Sequence, residues 1–349
     1  MVILTVAGPI EPESVKRIYL FETLPIDRTD SASSTALTER ISLKNRHAVV
    51  MDPLEYIDNL KVSIDDVAQE LADSESTVYV RMSSVIDNAT HQGFNKSNHF
   101  LATATISEHM VRSSDDKQVE WLKCAIQFGI NGAFCGCLVT TDLQSIKIYL
   151  QAHKDTGAPL IIDASQHGID WDDVILSLND CHQDKLVFLN IADQQGLDFI
   201  LKKTICWIGF TCSTPEASII TESRYIGYRI DQLARIIENL PVDRLLISPG
   251  LRFKTHLRNY GGFGIGYLYD WVTKRFGGEK SEMLFLTNPA KFLSFPWSPT
   301  KVEVIVKKDI WTCHVCNVTE DEDVQNYTKM GFVYCSMTCL SKHRKLGFK

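Results

Sequence analysis

Short apolar runs rich in β-branched residues recur along the chain and are separated by amphipathic stretches. An opening strand is expected near residues 17–20. Seven later runs predict strands at residues 77–82, 100–106, 133–139, 159–164, 185–191, 205–212 and 244–248. Apolar residues at helical spacing predict helices at residues 142–153, 171–178 and 229–240, with Gly157 and Pro241 as stop signals for the first and last. Strands and helices therefore alternate through the body of the chain.

Eight strands, each followed by a connection, predict a (β/α)8 TIM barrel. A doubly wound sheet would alternate in the same way, but no Gly-x-Gly-x-x-Gly motif follows an early strand. The glycine-rich segment 261–266 has a similar spacing, yet it follows the last strand and lacks the lysine of a P-loop. A structural glycine-rich turn is the favoured interpretation of this segment, and phosphate binding is the alternative.

The composition narrows the class of protein. The 349 residues suffice for one large α/β domain and a small module, and 44% hydrophobic with 23% charged residues is typical of globular proteins. A net charge of −7 does not favour a broad nucleic-acid-binding face. No apolar run approaches the roughly 18 residues of a membrane span, and the N-terminus lacks the basic region of a signal peptide.

The cysteines do not form the spacing pattern of a disulfide framework. Six of the ten are scattered, mostly in apolar runs: Cys124, Cys135, Cys137, Cys181, Cys206 and Cys212. Buried free thiols in a reducing compartment account for this distribution. We therefore expect an intracellular protein, in the cytoplasm, the nucleus or both.

Two segments resemble those of a known family. Residues 254–295 read KTHLRNYGGFGIGYLYDWVTKRFGGEKSEMLFLTNPAKFLSF, and residues 5–27 read TVAGPIEPESVKRIYLFETLPID. They resemble the closing and opening segments of phosphotriesterase-related amidohydrolases. The resemblance implies a (β/α)8 barrel of the metal-dependent hydrolase type over residues 1–295, with its site at the C-terminal ends of the strands.

The resemblance also assigns metal-ligand positions to this chain. The family holds two metal ions with two histidines on strand one, a carbamylated lysine or glutamate on strand four, histidines on strands five and six, and an aspartate on strand eight. The corresponding residues here are Phe21, Thr23, Cys137, Asp163, Asn190 and Gly250, the last preceded by Pro249. Phenylalanine and glycine cannot ligate a metal, and a thiolate beside a carboxylate is a poor set for generating hydroxide.

These substitutions predict a barrel without catalytic metal, that is, a pseudoenzyme. No His-x-His sequence occurs anywhere in the chain, and no lysine or glutamate lies between Lys123 and Lys147 to replace Cys137. The alternative is a divergent hydrolase that acts on ester or amide bonds, as the resemblance alone would imply.

A cysteine-based chemistry is a further alternative. One of Cys135 and Cys137 is expected to point into the barrel, and His167 follows strand five as a candidate base. A small apolar residue in the barrel interior is the favoured interpretation of that cysteine. The histidines His153, His182 and His256 fall on helices or connections, where we expect them to be solvated.

The C-terminal segment carries a second motif. Residues 296–309 are expected to form a linker that contains a strand at 301–308. Two cysteine pairs follow within residues 310–349, Cys313-x2-Cys316 and Cys335-x3-Cys339, separated by 18 residues. This spacing predicts a tetrahedral Zn²⁺ site, with His343 as a possible substitute ligand. The YCSMTC run resembles the FCS, TRASH and MYND group of treble-clef-like zinc fingers, although the ligands of a second, MYND-type site are missing.

A site with four protein ligands is closed, so one structural Zn²⁺ is expected, and it would replace the core that so short a segment cannot build. Together the two parts predict a non-catalytic scaffold or interaction protein. We expect a protein partner, bound through the finger or a face of the barrel. Nucleic acid, bound through Lys342, Arg344, Lys345 and Lys349, is the less favoured alternative, and no membrane partner is expected.

Overall fold

A computed structural model of the chain shows two compact units, Met1–Pro299 and Thr300–Lys349. The structure describes residues 1–22, 26–27, 37–42, 44–51, 55–71, 77–81, 98–106, 111, 113–130, 133–166, 168–212, 230–251, 253–297, 310–312, 319–321, 327–329, 332–334, 341–342 and 344–345. No helix among these residues is long and apolar enough to cross a membrane. The predicted strand at 301–308 lies outside the described residues.

Strands of the first unit alternate with helices, as the apolar runs predict. In chain order the strands are β1 (Ile3–Thr5), β2 (Gly8–Ile10), β3 (Arg17–Glu22), β4 (Ile26–Asp27), β5 (Lys61–Val62), β6 (Thr77–Arg81), β7 (His99–Ala104), β8 (Cys135–Thr140), β9 (Leu160–Asp163), β10 (Leu186–Leu189), β11 (Trp207–Thr211) and β12 (Leu245–Ser248). The helices are α1 (Arg46–Met51), α2 (Ile57–Leu60), α3 (Ile64–Glu70), α4 (Asp115–Gln127), α5 (Ile146–Thr156), α6 (Trp171–Ser177), α7 (Gln194–Lys203), α8 (Ile230–Asn239), α9 (Tyr267–Phe276), α10 (Gly278–Glu282) and α11 (Asn288–Leu293).

Eight of these strands form one parallel sheet that curls into a nearly closed barrel. Its order is β12-β11-β10-β9-β8-β7-β6-β3, and β12 lies beside β3. The prediction of a (β/α)8 barrel is therefore confirmed. Gly157 ends α5 in a left-handed conformation with φ of 69°, as its position after the apolar periodicity predicts.

The side chains of the strands sort into two buried clusters, because successive residues of a strand face opposite sides of the sheet. The cluster inside the barrel includes Ile18, Leu20, Val78, Val80, Leu101, Cys137, Val139, Ile161, Val187, Leu189 and Leu246. The other cluster lies between the strands and the surrounding helices and includes Tyr19, Tyr79, Phe100, Leu160, Phe188, Phe210 and Ile247. Mainly aliphatic residues fill the interior, so the barrel is a packed core.

The N-terminal ends of the strands form the base of the barrel. The turn after β1 reaches β7, where the backbone N–H of Val6 donates to the carbonyl of Phe100 at 2.9 Å. Val2 and Phe295 exchange backbone hydrogen bonds of 3.2 and 3.1 Å, which brings the end of the last helical segment to the same place. The C-terminal ends of the strands therefore open at the other end, where barrel enzymes carry their active sites.

The described residues of the second unit form two antiparallel strand pairs and a short helical segment. Strand β13 (Ile310–Thr312) pairs with β14 (Thr319–Asp321), and β15 (Tyr327–Lys329) pairs with β16 (Phe332–Tyr334). Residues 341–342 and 344–345 are helical, and their side chains are exposed. The charged ends of Lys342, Arg344 and Lys345 are thus available on this unit.

Candidate functional site

Phe21 occupies the barrel interior at the end of β3. Its neighbour Leu20 also belongs to the interior cluster, although consecutive residues of a regular strand face opposite sides. The register of β3 against β6 shifts between Tyr19 and Glu22, and Phe21 has a left-handed backbone with φ of 61°. The ring is 1% exposed and lies over β11, where a Cβ built on Gly209 would come within 2.9 Å of it. The first predicted ligand position therefore holds a buried aromatic ring.

Asn190 directly follows β10, and its side chain is hydrogen-bonded to the neighbouring strand β11. Its side-chain oxygen accepts the backbone N–H of Thr211 at 2.9 Å, and its amide nitrogen lies 3.0 Å from the Thr211 hydroxyl. A Cβ built on Gly250, after β12, would come within 2.8 Å of the Thr211 Cβ. Asn190 is 6% exposed. Two predicted ligand positions thus pack against one threonine on the strand between them.

Three predicted ligand positions share an unusual backbone conformation. Phe21, Asn190 and Gly250 have φ of 61°, 54° and 60°, and only Asp180 among the other described non-glycine residues has a positive φ. Left-handed backbone at a bulky residue is an outlier that costs on the order of 1–3 kcal/mol. Such conformations persist only where the surrounding packing enforces them, and they concentrate at functional sites. Asparagine and glycine adopt this conformation readily, so the strain falls on Phe21, at the first of the positions where the resemblance places metal ligands.

The two cysteines of β8 face different environments. Cys137 belongs to the interior cluster, and Cys135 to the cluster beneath the helices. On a regular strand, two residues that are two positions apart would point to the same face. Here the pairing of β8 with β7 shifts register between the two cysteines. The residue between them is Gly136, where a Cβ would lie 1.9 Å from the Leu4 carbonyl oxygen. Cys137 points into the barrel, as expected of one of the pair.

Burial makes both thiols poor nucleophiles. It raises the pKa of Cys137 well above its usual range, and its Sγ donates to the carbonyl of Pro159 at 3.2 Å. Burial likewise raises the pKa of Cys135 to about 12. A neutral thiol neither attacks a substrate nor ligates a metal readily. The candidate base His167 lies outside the described residues, as does Thr23.

Two of the described carboxylates near this end, Asp163 and Asp193, accept local backbone hydrogen bonds. Asp163, half-buried at the end of β9, accepts the backbone N–H of Ser165 at 3.0 Å. Asp193 caps α7 by accepting the N–H of Gly196 at 2.6 Å. Among the described residues, no three His, Cys, Asp or Glu side chains gather closely enough to hold a metal ion.

The glycine-rich segment after β12 wraps around a carboxylate. Glu70, whose side chain is 1% exposed, accepts the backbone N–H groups of Arg258 at 2.9 Å and Ile265 at 3.0 Å. A Cβ built on Gly264, which has φ of 77°, would lie 2.0 Å from a Glu70 oxygen. The loop therefore needs glycine to approach this carboxylate, which supports its interpretation as a structural turn. The sequence pattern could not reveal the partner, since Glu70 lies 188 residues before Arg258.

The expectation that three histidines are solvated is wrong for two of them. His182 is exposed, but His153 is fully buried and His256 is 7% exposed. His153 follows Ile146, Tyr149 and Leu150 at helical spacing, so it shares their buried face of α5. Its Nδ1 lies 2.7 Å from the Ala158 carbonyl, and burial lowers its pKa. The apolar spacing that predicts this helix also places His153 on its buried face, so the burial of His153 could have been predicted from the sequence.

The predicted zinc ligands Cys313, Cys316, Cys335, Cys339 and His343 lie outside the described residues. The flanking strands are described. The first cysteine pair falls in the connection between the paired strands β13 and β14, and Cys335 directly follows β16. Both cysteine pairs are therefore adjacent to strand ends of the second unit.

Comparisons with known proteins identify the C-terminal segment. A family model described as the Vms1-associating treble clef domain matches residues 308–349. This match confirms the predicted treble-clef finger at the C-terminus.

The chain is similar in sequence to phosphotriesterase-related proteins. The protein from Drosophila melanogaster is 30% identical over 126 residues, which are 33% of this chain and 34% of the relative. The protein from Drosophila willistoni is 34% identical over 92 residues, which are 25% of this chain and 26% of the relative. The chain thus spans about a third, or less, of the length of the curated relatives it matches.

Solved structures share the fold. A resiniferatoxin-binding protein from Rhodobacter sphaeroides superposes with a TM-score of 0.69 at 18% identity, over 84% of this chain and 95% of that protein. A lactonase from Listeria monocytogenes gives 0.58 at 15% identity, over 85% of this chain and 100% of the lactonase. The phosphotriesterase homology protein from Escherichia coli gives 0.52 at 17% identity, over 75% and 100%. The chain therefore joins a barrel with the fold of phosphotriesterase-like proteins to a C-terminal treble clef domain.

Proposed function

We propose that the barrel is a catalytically inactive relative of phosphotriesterase-like hydrolases and that the chain acts as an interaction protein. The observation that carries this proposal is the packing at the C-terminal ends of the strands. The ring of Phe21 fills space over Gly209, and the side chain of Asn190 is committed to Thr211. A two-metal hydrolase needs imidazoles, a carboxylate and a water-derived nucleophile at these positions.

The chemistry of the remaining groups supports inactivity. Cys137 stands at the strand-four position, where the resembled family has a carbamylated lysine or glutamate between its two metal ions, and burial raises the pKa of Cys137. An anionic bridge between two metal ions requires a group that gives up its proton easily, so a buried neutral thiol does not fit this metal pair. Phe21 and Gly250 offer no donor atom from their side chains. The donor set of this chain therefore does not fit the metal pair that the family resemblance implies.

An activity assay on the full chain tests this part. Aryl ester, lactone and amide substrates should show no turnover above buffer, before or after incubation with Zn²⁺ or Mn²⁺. Phe21→Ala opens the interior without adding a ligand and should be equally inactive. Turnover that a chelator abolishes and Zn²⁺ or Mn²⁺ restores would favour the alternative, a divergent phosphotriesterase-related hydrolase that acts on ester or amide bonds.

We further infer that the finger carries one structural Zn²⁺, held by Cys313, Cys316, Cys335 and Cys339. The family match over residues 308–349 supports this, as does the position of both cysteine pairs at the ends of paired strands. Zinc bound to four thiolates supplies folding energy, since the apo forms of such small modules are unfolded. The alternative ligand set has His343 in place of one of these cysteines.

The finger is also the proposed partner-binding part. The description of the matched family, a domain that associates with Vms1, supports a protein partner. Lys342, Arg344 and Lys345 provide an exposed basic end, which supports nucleic acid less strongly because few aromatic residues accompany it. A face of the barrel is the alternative surface. The six described cysteines are thiols that form no disulfide with one another, which supports a reducing compartment, the cytoplasm or the nucleus.

Affinity capture with a matched pair of variants tests the partner proposal. Cys335→Ser should abolish recovery of a protein partner, whereas Cys124→Ser, on helix α4 of the barrel, should not. A protein partner should then bind the purified chain directly, with little change after Lys342→Ala and Arg344→Ala. Binding that these two substitutions weaken, with a flatter dependence on salt, would indicate nucleic acid instead. Recovery that survives deletion of residues 310–349 would assign the interaction to the barrel.

A further inference from the structure

A cavity of about 710 Å³ lies at the base of the barrel. Its lining comes from the residues that precede or begin three strands, Val15 before β3, Lys185 before β10 and Trp207 in β11, and from the last helical segment. The volume lies in the range of small-molecule sites, roughly 300–1,000 Å³. Because these are the N-terminal ends of the strands, the cavity is separate from the end at which barrel enzymes act.

One wall of the cavity is an irregular helix. A π-helical turn, Met283–Thr287, interrupts the continuous helix that runs through α10 and α11. Such turns cost stability and occur frequently at functional sites. Directly after it, Asn288 donates two hydrogen bonds to the carbonyls of Val242 at 2.7 Å and Leu245 at 2.9 Å. These bonds fix the wall to the start of β12, so the cavity is preformed.

Lys185 brings a positive charge into this cavity. Its side chain is 10% exposed, and its ammonium donates to the backbone carbonyl of Lys291 on the helical wall. Among the described residues, the one carboxylate within ion-pair distance is that of Asp184, at 3.9 Å, with a side chain 59% exposed. Burial lowers the pKa of Lys185. An ammonium has three protons to donate, so capacity for an anionic ligand remains.

The rest of the lining is largely apolar. Trp207, 8% exposed, already donates its indole N–H to the Asp184 carbonyl at 2.7 Å and therefore offers the ligand only its apolar surface. Val15, Leu286 and Ala290 add aliphatic surface. Of the other charged side chains in the lining, Glu13 and Asp184 are acidic and Lys291 is basic; all three are exposed, so the buried charge of the cavity is that of Lys185.

We propose that this cavity binds a small organic monocarboxylate, with its carboxylate on the Lys185 ammonium and its aliphatic or aromatic body against Trp207 and Leu286. A carboxylate relieves the cost of burying the lysine charge, and the apolar lining takes up the body of the ligand. Inorganic phosphate has no apolar body to occupy the lining, and a neutral ligand would leave the buried ammonium with the exposed Asp184 carboxylate, 3.9 Å away, as its counter-charge. The inference is independent of the proposed inactivity and of the finger.

Calorimetric titration of the full chain with three ligands of one length tests the proposal. Octanoate should bind saturably at one site per chain, and octanamide about tenfold or more weaker, because it lacks the charge-assisted hydrogen bond. Octylamine should not bind. The affinity for octanoate should fall as the pH rises and the ammonium loses its proton. Equal binding of octanoate and octanamide, or no saturable binding of octanoate, would overturn the proposal.

Two variants locate the site. Lys185→Met keeps the volume of the side chain, removes the charge and should weaken octanoate binding about tenfold or more, whereas Lys203→Met, exposed on α7, should bind like the wild type. Ala290→Phe fills the cavity without changing a charge and should also abolish binding, which keeps the test valid if Lys185→Met fails to fold. Octanoate binding unchanged in Ala290→Phe would show that the ligand sits elsewhere and would refute the proposal.

Discussion

At the C-terminal ends of the barrel strands, polar side chains are paired with one another, whereas at the N-terminal ends a buried lysine lines a cavity. Asn190 and Thr211 satisfy each other, and Phe21 fills the interior beside them. At the base, Lys185 has a helix carbonyl and one distant carboxylate. The difference teaches that a barrel fold does not by itself fix where polar groups and open volume lie. The end at which barrel enzymes carry their active sites has paired polar groups and a buried ring here, and the opposite end has a buried charge beside open volume.

The packed end should be sensitive to loss of its aromatic ring. Phe21→Ala removes a side chain that is 1% exposed, so the free energy of unfolding should fall by about 3–5 kcal/mol. Phe128→Ala, where the ring is 42% exposed, is the control and should change it by less than about 0.5 kcal/mol. Urea unfolding of both variants measures the effect. A Phe21→Ala variant as stable as the wild type would contradict tight packing at this end.

The glycine-rich turn at the same end depends on Glu70. Glu70→Ala leaves the backbone N–H groups of Arg258 and Ile265 without their charged acceptor, so the free energy of unfolding should fall by about 1.5–3 kcal/mol. Glu120→Ala, on the exposed side of α4, serves as the control. Inorganic phosphate should not restore the stability of Glu70→Ala. Rescue by phosphate would revive the phosphate-binding interpretation of the loop.

At the base of the barrel, the side chain of Asn288 holds the helical wall of the cavity against the start of β12. Asn288→Ala removes two hydrogen bonds beside the π-helical turn, so the free energy of unfolding should fall by about 1–2 kcal/mol. Octanoate affinity should fall as well, since the wall of the cavity is no longer fixed. Asn239→Ala, exposed at the end of α8, should change neither quantity. If Asn288→Ala loses stability but binds octanoate as tightly as the wild type, the hydrogen bonds of Asn288 are not needed to keep the cavity in shape.

The smallest expected effect concerns acid stability. Burial alone would raise the pKa of Asp66, but hydrogen bonds from Tyr260 and Ser63 outweigh it and lower the pKa below its ordinary value of 3.8. A lowered folded pKa contributes stability above the ordinary value, and this contribution is lost as the pH falls through the folded pKa. Asp66→Asn should therefore be less stable near neutral pH and lose less stability on acidification. Asp65→Asn, on the same turn, is the control, and urea unfolding at several pH values is the measurement.

Much of the fold could be predicted from the sequence, because apolar β-branched runs and helical spacing are local signals. The split between Cys135 and Cys137 could not, since it depends on the Leu4 backbone pressing on Gly136. The partner of the glycine-rich turn is likewise set by a contact between distant segments.

The sequence predicted which residues stand at the candidate site, but only part of how their backbone and side chains are arranged. Phe21 and Asn190 were identified by resemblance, whereas their left-handed backbone appears only in three dimensions. The cavity at the base has no local signal, since Lys185 and Lys291 are 106 residues apart.

The metal content of the purified full chain tests the central claim most directly. Mass spectrometry should find one zinc per chain, and none in Cys313→Ser/Cys335→Ser, while the thermal transition of the barrel stays in place. Two or three metal ions per chain, or an ion that survives in the cysteine variant, would place a metal in the barrel and contradict the account.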